Sequence, residues 1–129
     1  VVNCEVSRSS GGIEGLRVLV VEDESLVALQ LEDMLHDLGC HVVGPAMRLR
    51  AAGELLDAGV GIDCAVLDVN VCGEMVYPIA ERLSLLGIPF VFATGYGRDG
   101  VDVRWTNVPI LQKPYTCEEI GASLVLCLQ

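Results

Sequence analysis

The chain has 129 residues, which suits a single domain with enough material for a proper core. It is 52% hydrophobic and 20% charged, a balance that excludes a disordered chain. Its formal net charge of −10 argues against non-specific nucleic-acid binding, which needs Lys and Arg to displace phosphate counterions. No apolar run approaches the roughly 18 residues that a bilayer span needs, and the first residues lack the basic start and apolar block of a signal peptide. The expectation is a cytoplasmic protein with neither nucleic acid nor membrane as a partner.

Residues 1–15 are rich in Ser and Gly and lack periodicity, which reads as a flexible tail or linker; the folded domain then runs over 16–129. Leu16–Val21 is a β-branched apolar run, too short for a helix and so a buried strand. Ser25 is placed to cap a helix whose apolar positions Val27, Leu31, Met34 and Leu38 recur at helical spacing, and Gly39 stops it. His41–Val43 reads as a short strand ended by Gly44-Pro45. Leu49–Ala58 reads as a helix with Ala52, Leu55 and Leu56 inward and Gly59 beyond its end. Ile62–Val69 is the third strand and carries Asp68 near its end. Proline is tolerated in the first turn of a helix but not in its interior, so the next helix starts near Tyr77 or Pro78, with Ile79, Leu83 and Leu86 inward and Gly87 stopping it. The loop after Asp68 is then about eight residues long. Ile88–Ala93 is the fourth strand. Gly95–Asn107 has three glycines and scattered charges, with at best a short helix around Val101–Trp105. Val108–Gln112 is the fifth strand. Thr116-Cys117-Glu118-Glu119 is a capping box that opens a last helix with Ile120, Leu124 and Cys127 inward.

The six cysteines contain no Cys-x-x-Cys, and His36 and His41 do not stand at ligand spacing with them. Cys40, Cys64 and Cys127 fall in apolar stretches, where a reduced thiol behaves as a small hydrophobe. The six carboxylates between Glu22 and Asp37 read mostly as a solvated helix face. The triplet Glu22-Asp23-Glu24 at their head needs a separate account.

Five strands alternating with helices make an α/β parallel sheet with right-handed crossovers. In such sheets the functional crevice lies at the carboxyl ends of the strands. Those ends carry Glu22-Asp23, Asp68, Thr94 and Lys113. A carboxylate at the end of a buried strand is costly unless paired or metal-bound, and three neighbouring ones repel. A hard divalent cation with oxygen ligands, such as Mg²⁺, resolves that repulsion. Lys113 is the only lysine in the chain, and an ammonium at that strand end can pair with Asp68 and later with a phosphoryl oxygen. The Lys113-Pro114 bond is a candidate cis peptide that aims the lysine inward. Gly95, next to Thr94, leaves room for a ligand oxygen and a free backbone N–H.

These motifs closely resemble the receiver domain of two-component response regulators. The likeness covers residues 16–127 in the expected order: Val-Val-Glu22-Asp23-Glu24, Leu-Asp68-Val-Asn70, Ala-Thr94-Gly95 and Lys113-Pro114. It implies a flavodoxin-like (βα)5 doubly wound parallel sheet with strand order 2-1-3-4-5, here with a short or irregular fourth helix. It implies further that Asp68 accepts a phosphoryl group from a phosphohistidine. Asp23, Asp68 and the Asn70 backbone carbonyl would ligate Mg²⁺, Glu22 would act through water, and Thr94, Gly95 and Lys113 would bind the phosphoryl oxygens. The partner implied is a histidine kinase or a histidine phosphotransfer protein. A homodimer through the face formed by the fourth helix, the fifth strand and the last helix is a further expectation. The role is signalling, not turnover of an external substrate.

Two departures from the receiver pattern point to a subtype. Receivers carry Tyr or Phe three positions before the lysine, where this chain has Ile110, and Val71-Cys72-Gly73-Glu74 replaces the usual Met-Pro after the aspartate. The run Phe92-Ala93-Thr94-Gly95-Tyr96-Gly97 resembles the subgroup named for a Phe-Ala-Thr-Gly-aromatic signature, found alone or attached to HWE/HisKA2-type histidine kinases. Tyr96 is then the candidate aromatic switch. The chain reads as a stand-alone regulator or phosphorelay component, or alternatively as the carboxy-terminal receiver of a hybrid kinase. A phosphatase of the haloacid dehalogenase type also uses an aspartyl nucleophile, but it needs an acid two residues on, where this chain has Asn70.

Overall fold

The computed structural model describes residues 12–129. Five strands form one parallel sheet: β1 (Arg17–Val21), β2 (His41–Ala46), β3 (Cys64–Asp68), β4 (Phe90–Thr94) and β5 (Ile110–Gln112). Their order is β2-β1-β3-β4-β5, the flavodoxin-like arrangement. The helices are α1 (Ser25–Asp37), α2 (Leu49–Asp57), α3 (Tyr77–Leu85) and α4 (Cys117–Cys127).

The sheet is buried on both faces because its strands are apolar at successive positions, not alternate ones. Leu19, Val21, Leu67 and Phe92 enter one core, closed by Ala52 of α2 and by Ile79, Ala80 and Leu83 of α3. Their strand neighbours Val18, Val20, Val66 and Val91 enter the other, closed by Leu31 and Leu35 of α1 and by Ile120 and Leu124 of α4. Cys40 and Cys64 are buried free thiols, and Cys127 is a half-buried one. Of the segment 1–15, residues 1–11 lie outside the described residues. Ile13 is fully buried in the second core, so the packed chain reaches back beyond Leu16.

Several elements differ from the sequence-based expectation. The buried stripe of α1 is Ala28, Leu31 and Leu35, with Leu38 at its C-cap, and Val27 and Met34 are only half-buried. Glu24 takes the N-cap position and Ser25 is already helical, so Ser25 does not cap. Strand β2 runs on to Ala46, through the cis Gly44-Pro45 bond, with a register shift against β1 between Leu19 and Val21. Strand β2 lies at the edge of the sheet, the position where a proline is tolerated within a strand. Leu86 is exposed, since α3 ends at Leu85 and leaves it as the C-cap. The loop after Asp68 is partly folded: Asn70–Val71 pairs antiparallel with Glu74–Met75. Cys72 and Gly73 at its tip have φ of 52° and 83°, the backbone that a two-residue hairpin turn demands.

In place of a fourth helix stand two single-turn 3-10 helices, Gly97–Gly100 and Val103–Trp105. Three glycines and the lack of an apolar period deny this segment a regular helix. Packing and polar clasps hold it instead. Trp105 stacks on Tyr77 at 6.3 Å and meets Phe90 and Phe92 edge-on at 5.7 and 6.0 Å. The Tyr77 hydroxyl accepts the Asp102 amide at 2.9 Å, Arg104 pairs with Glu81 at 2.6 Å, and Arg98 donates to the carbonyls of Trp105 and Val108. At α4 the capping box forms in both directions, Glu119 N to Thr116 Oγ1 at 3.1 Å and Thr116 N to Glu119 Oε1 at 2.8 Å.

Because Trp105 is the ring that ties this segment to the sheet, Trp105→Ala is expected to cost about 3 kcal/mol, measured by urea unfolding followed by circular dichroism. A loss below about 1 kcal/mol would show that the polar clasps alone carry the segment.

Candidate functional site

Parallel strands place their carboxyl ends side by side, and register does the rest. Val21 lies beside Leu67, Asp68 beside Ala93, and Thr94 beside Gln112. The residues that end β1, β3, β4 and β5 therefore share one rim. Asp68 is the last residue of β3 and Glu22 follows β1; their exposures are 7% and 2%. Oxygens of Glu22, Asp23 and Asp68 all lie within 4.8 Å of one another.

Lys113 crosses the rim to them. Its Nζ stands 3.0 Å from Glu22 Oε1 and 3.3 Å from Asp68 Oδ1. The lysine's partnership with Asp68 was expected; the shorter one, with Glu22, was not. The Lys113-Pro114 bond is cis, and the Lys113 amide donates to the Thr94 carbonyl at 2.9 Å. Asp23 is half-buried, and its Oδ2 accepts the Cys72 amide at 2.8 Å, so the hairpin after Asp68 steadies a carboxylate that arrives from β1. Asn70 is exposed at the start of that hairpin, its Oδ1 accepting from Gly73 N at 3.0 Å. Thr94 is buried, and its Oγ1 accepts the Tyr96 amide at 3.1 Å. A Cβ built on Gly95 would meet nothing within 4 Å. Tyr96 is 83% exposed.

Asp23, Asp68, Asn70, Thr94, Gly95 and Lys113 line a cleft of about 640 Å³. A larger depression of about 880 Å³ lies at the opposite ends of β4 and β5, around Pro89, Arg98, Asn107 and Pro109. It gathers no acids, so the chemistry selects the smaller cleft.

Electrostatics separates the acids. Burial pushes the Asp68 carboxyl up to about 7, Glu22 adds to the push, and Lys113 only partly opposes it. Burial also opposes the Lys113 charge, but the hydrogen bond to Glu22 and the charges of Asp68 and Glu22 outweigh it and raise the lysine. For Asp23, burial is outweighed by the Cys72 amide and by bonds to Asp68 and Glu22, which hold it below the ordinary carboxylate range. Three carboxylates against one ammonium leave a surplus of two negative charges when all are ionised. An all-oxygen donor set with that surplus fits a hard divalent cation.

The structure thus brings Glu22, Asp23, Asp68, Thr94, Gly95 and Lys113 together, with the exposed Asn70 and Tyr96 also bordering the cleft. Sequence reasoning missed Gln112, whose Nε2 donates to the Gly95 carbonyl at 2.8 Å; its place beside Lys113 at a strand end was the available signal.

Neither a protein-family model nor a curated protein matches the chain. Solved structures do. The solution structure of SdrG from Sphingomonas melonis Fr1 is 43% identical with a TM-score of 0.80, over 89% of this chain and 98% of SdrG. The response regulator PhyR from Brucella abortus is 26% identical with a TM-score of 0.76, over 95% of this chain and 53% of that one. The REC domain of the PhyR response regulator from Erythrobacter litoralis is 24% identical, covers 92% of this chain and 93% of its own, and shares the fold at a TM-score of 0.75.

A pH dependence follows from Asp68. Its folded carboxyl holds a proton more tightly than the unfolded one does, so its stabilising contribution is complete below about 3.8 and is lost as pH rises through about 7. Asp68→Asn removes that loss. In metal-free buffer the variant is expected to exceed wild type in urea stability by roughly 1–3 kcal/mol at pH 8, with the gap shrinking toward pH 4. A wild type that is the more stable at pH 8 would contradict the burial argument.

Proposed function

The chain belongs to the response-regulator receiver family, and from that premise we propose that Asp68 is the phosphoacceptor of a two-component pathway. The observation that carries the reading is the convergence of Asp68, Lys113, Asp23 and Thr94 on one cleft at the carboxyl rim, with Glu22 buried behind it against Lys113. The ionised Asp68 carboxylate attacks the phosphorus of a phosphohistidine; the new O–P bond forms an acyl phosphate as the N–P bond breaks, and the imidazole leaves with the electron pair. Asp23, Asp68 and the Asn70 backbone carbonyl would hold Mg²⁺, with Glu22 acting through water. When bound there, the ion would neutralise charge on the transferring group.

Lys113, shared between Glu22 and Asp68, is positioned to take a phosphoryl oxygen as Asp68 surrenders its charge. The Thr94 hydroxyl accepts from Tyr96 N in this structure, which leaves its own proton to donate to another phosphoryl oxygen. Gly95 lines the same cleft and carries no side chain to obstruct a phosphoryl oxygen. As Thr94 turns, the Tyr96 amide loses its acceptor, and the change spreads into residues 95–107. Tyr96, already outside the core, takes over part of the role that the missing aromatic at Ile110 would play.

The phosphodonor is a histidine kinase or a histidine phosphotransfer protein, and the Phe-Ala-Thr-Gly-Tyr signature associates the chain with HWE/HisKA2-type kinases in the cytoplasm. The domain promotes its own phosphorylation and slow dephosphorylation. It serves as a stand-alone regulator or phosphorelay component, or as the receiver of a hybrid kinase. A homodimer, if it forms, uses the face built by Gly97–Trp105, β5 and α4. Among the described residues no helix is long and apolar enough to cross a membrane.

Acetyl phosphate with Mg²⁺ is expected to label wild type at one site and to leave Asp68→Asn at background; equal labelling of both proteins overturns the assignment. In Tyr96→Ala the label should still attach, while the amide chemical-shift changes over 95–107 on phosphorylation shrink by at least about half. Undiminished changes would remove Tyr96 from the switch.

A further inference from the structure

One peptide group connects the proposed switch to β5. The N–H of Tyr96 and the C=O of Gly95 belong to the same planar unit. The N–H donates to Thr94 Oγ1 at 3.1 Å, and the C=O accepts from Gln112 Nε2 at 2.8 Å. Gln112 is the register partner of Thr94 across β4 and β5 and the residue immediately before Lys113. Its carboxamide also lies against Gly97, which has φ of 59° and where a Cβ would stand 2.6 Å from Gln112 Oε1. On the other side of Thr94, a Cβ on Gly100 would stand 2.7 Å from Thr94 Oγ1. The first 3-10 turn is therefore folded back onto both ends of this unit, with bare glycines at the two points of contact.

We propose that Gln112 is a positioning residue for the switch: its carboxamide latches the Gly95–Tyr96 peptide in the unphosphorylated conformation and so sets the energy gap that phosphorylation must overcome. Thr94 holds the N–H end only while its hydroxyl stays turned toward Tyr96. Gln112 holds the C=O end independently of the Thr94 rotamer, and with it the orientation of the loop that follows. Losing the latch leaves Asp68, Lys113 and the acids untouched, so the effect is a shift of population, not a loss of chemistry.

The consequence for phosphorylation rests on the phosphoacceptor reading; the latch itself is measurable without it. In metal-free protein, amide hydrogen exchange at Tyr96 is expected to rise about threefold to tenfold in Gln112→Ala, with the sheet amide of Val91 unchanged. Gln112→Met, of similar length but without a donor, should behave as Gln112→Ala; wild-type exchange in Gln112→Met would overturn the hydrogen-bond latch. SdrG has been solved in a BeF3-activated conformation, and beryllofluoride with Mg²⁺ is the phosphoryl mimic to use. Its apparent affinity should rise about threefold or more in both variants. If wild type binds beryllofluoride and Gln112→Ala leaves either exchange or affinity unaltered, or weakens binding, the latch fails alone. If wild type does not bind it, the phosphoacceptor reading fails and takes the latch's role with it.

Discussion

Lys113 Nζ, 3.0 Å from Glu22 and 3.3 Å from Asp68, is the ammonium on which the carboxyl edge of the sheet depends. Without it two buried carboxyl groups would face each other with no cation between them. Lys113 also donates its backbone amide to Thr94, so the residue that answers the acids fixes the end of the neighbouring strand as well. The arrangement stops short of neutrality. Asp68 is left easy to protonate and easy to neutralise by a cation, which suits the phosphoacceptor role proposed for it.

The fold supplies the edge. A sheet buried on both faces cannot accept charge within its strands, and the first polar groups therefore appear where the strands run out. Parallel register aligns those exits, so Glu22, Asp68, Thr94 and Lys113 meet although 91 positions separate the first from the last. The small hairpin closes the arrangement from the side: its Cys72 amide holds Asp23, tying the β3 exit to the β1 exit. Opposite it, the segment that replaces a fourth helix rests on α3 through Tyr77 and Glu81 and on β5 through Gln112.

How much of this was legible in the sequence depended on how few solutions each residue had. A carboxylate closing an apolar run, and a single lysine before a proline, have few structural options, and Asp68 and Lys113 stood out for that reason. The capping box at Thr116 was similarly constrained. Helix faces were less so: Val27 and Ala28 are both apolar, and only tertiary packing selects Ala28 for the core. Leu86 read as inward because its spacing is right, but α3 ends one residue before it. Gly44-Pro45 looked like a strand terminator until β2 proved to be an edge strand. Gln112 was the hardest case, since a polar residue at a strand end looks like any solvated side chain until the loop it holds is seen.

Trp105 has a consequence of another kind. It is the only tryptophan in the chain, and it lies within 6.3 Å of the rings of Tyr77, Phe90 and Phe92, with the Arg104 guanidinium 5.0 Å from its centre. Any movement of Gly97–Trp105 changes the charge and the ring contacts around a single indole. The protein thus contains its own optical probe, placed in the segment that stands where a fourth helix would, so any movement there can be timed in solution without attaching a dye.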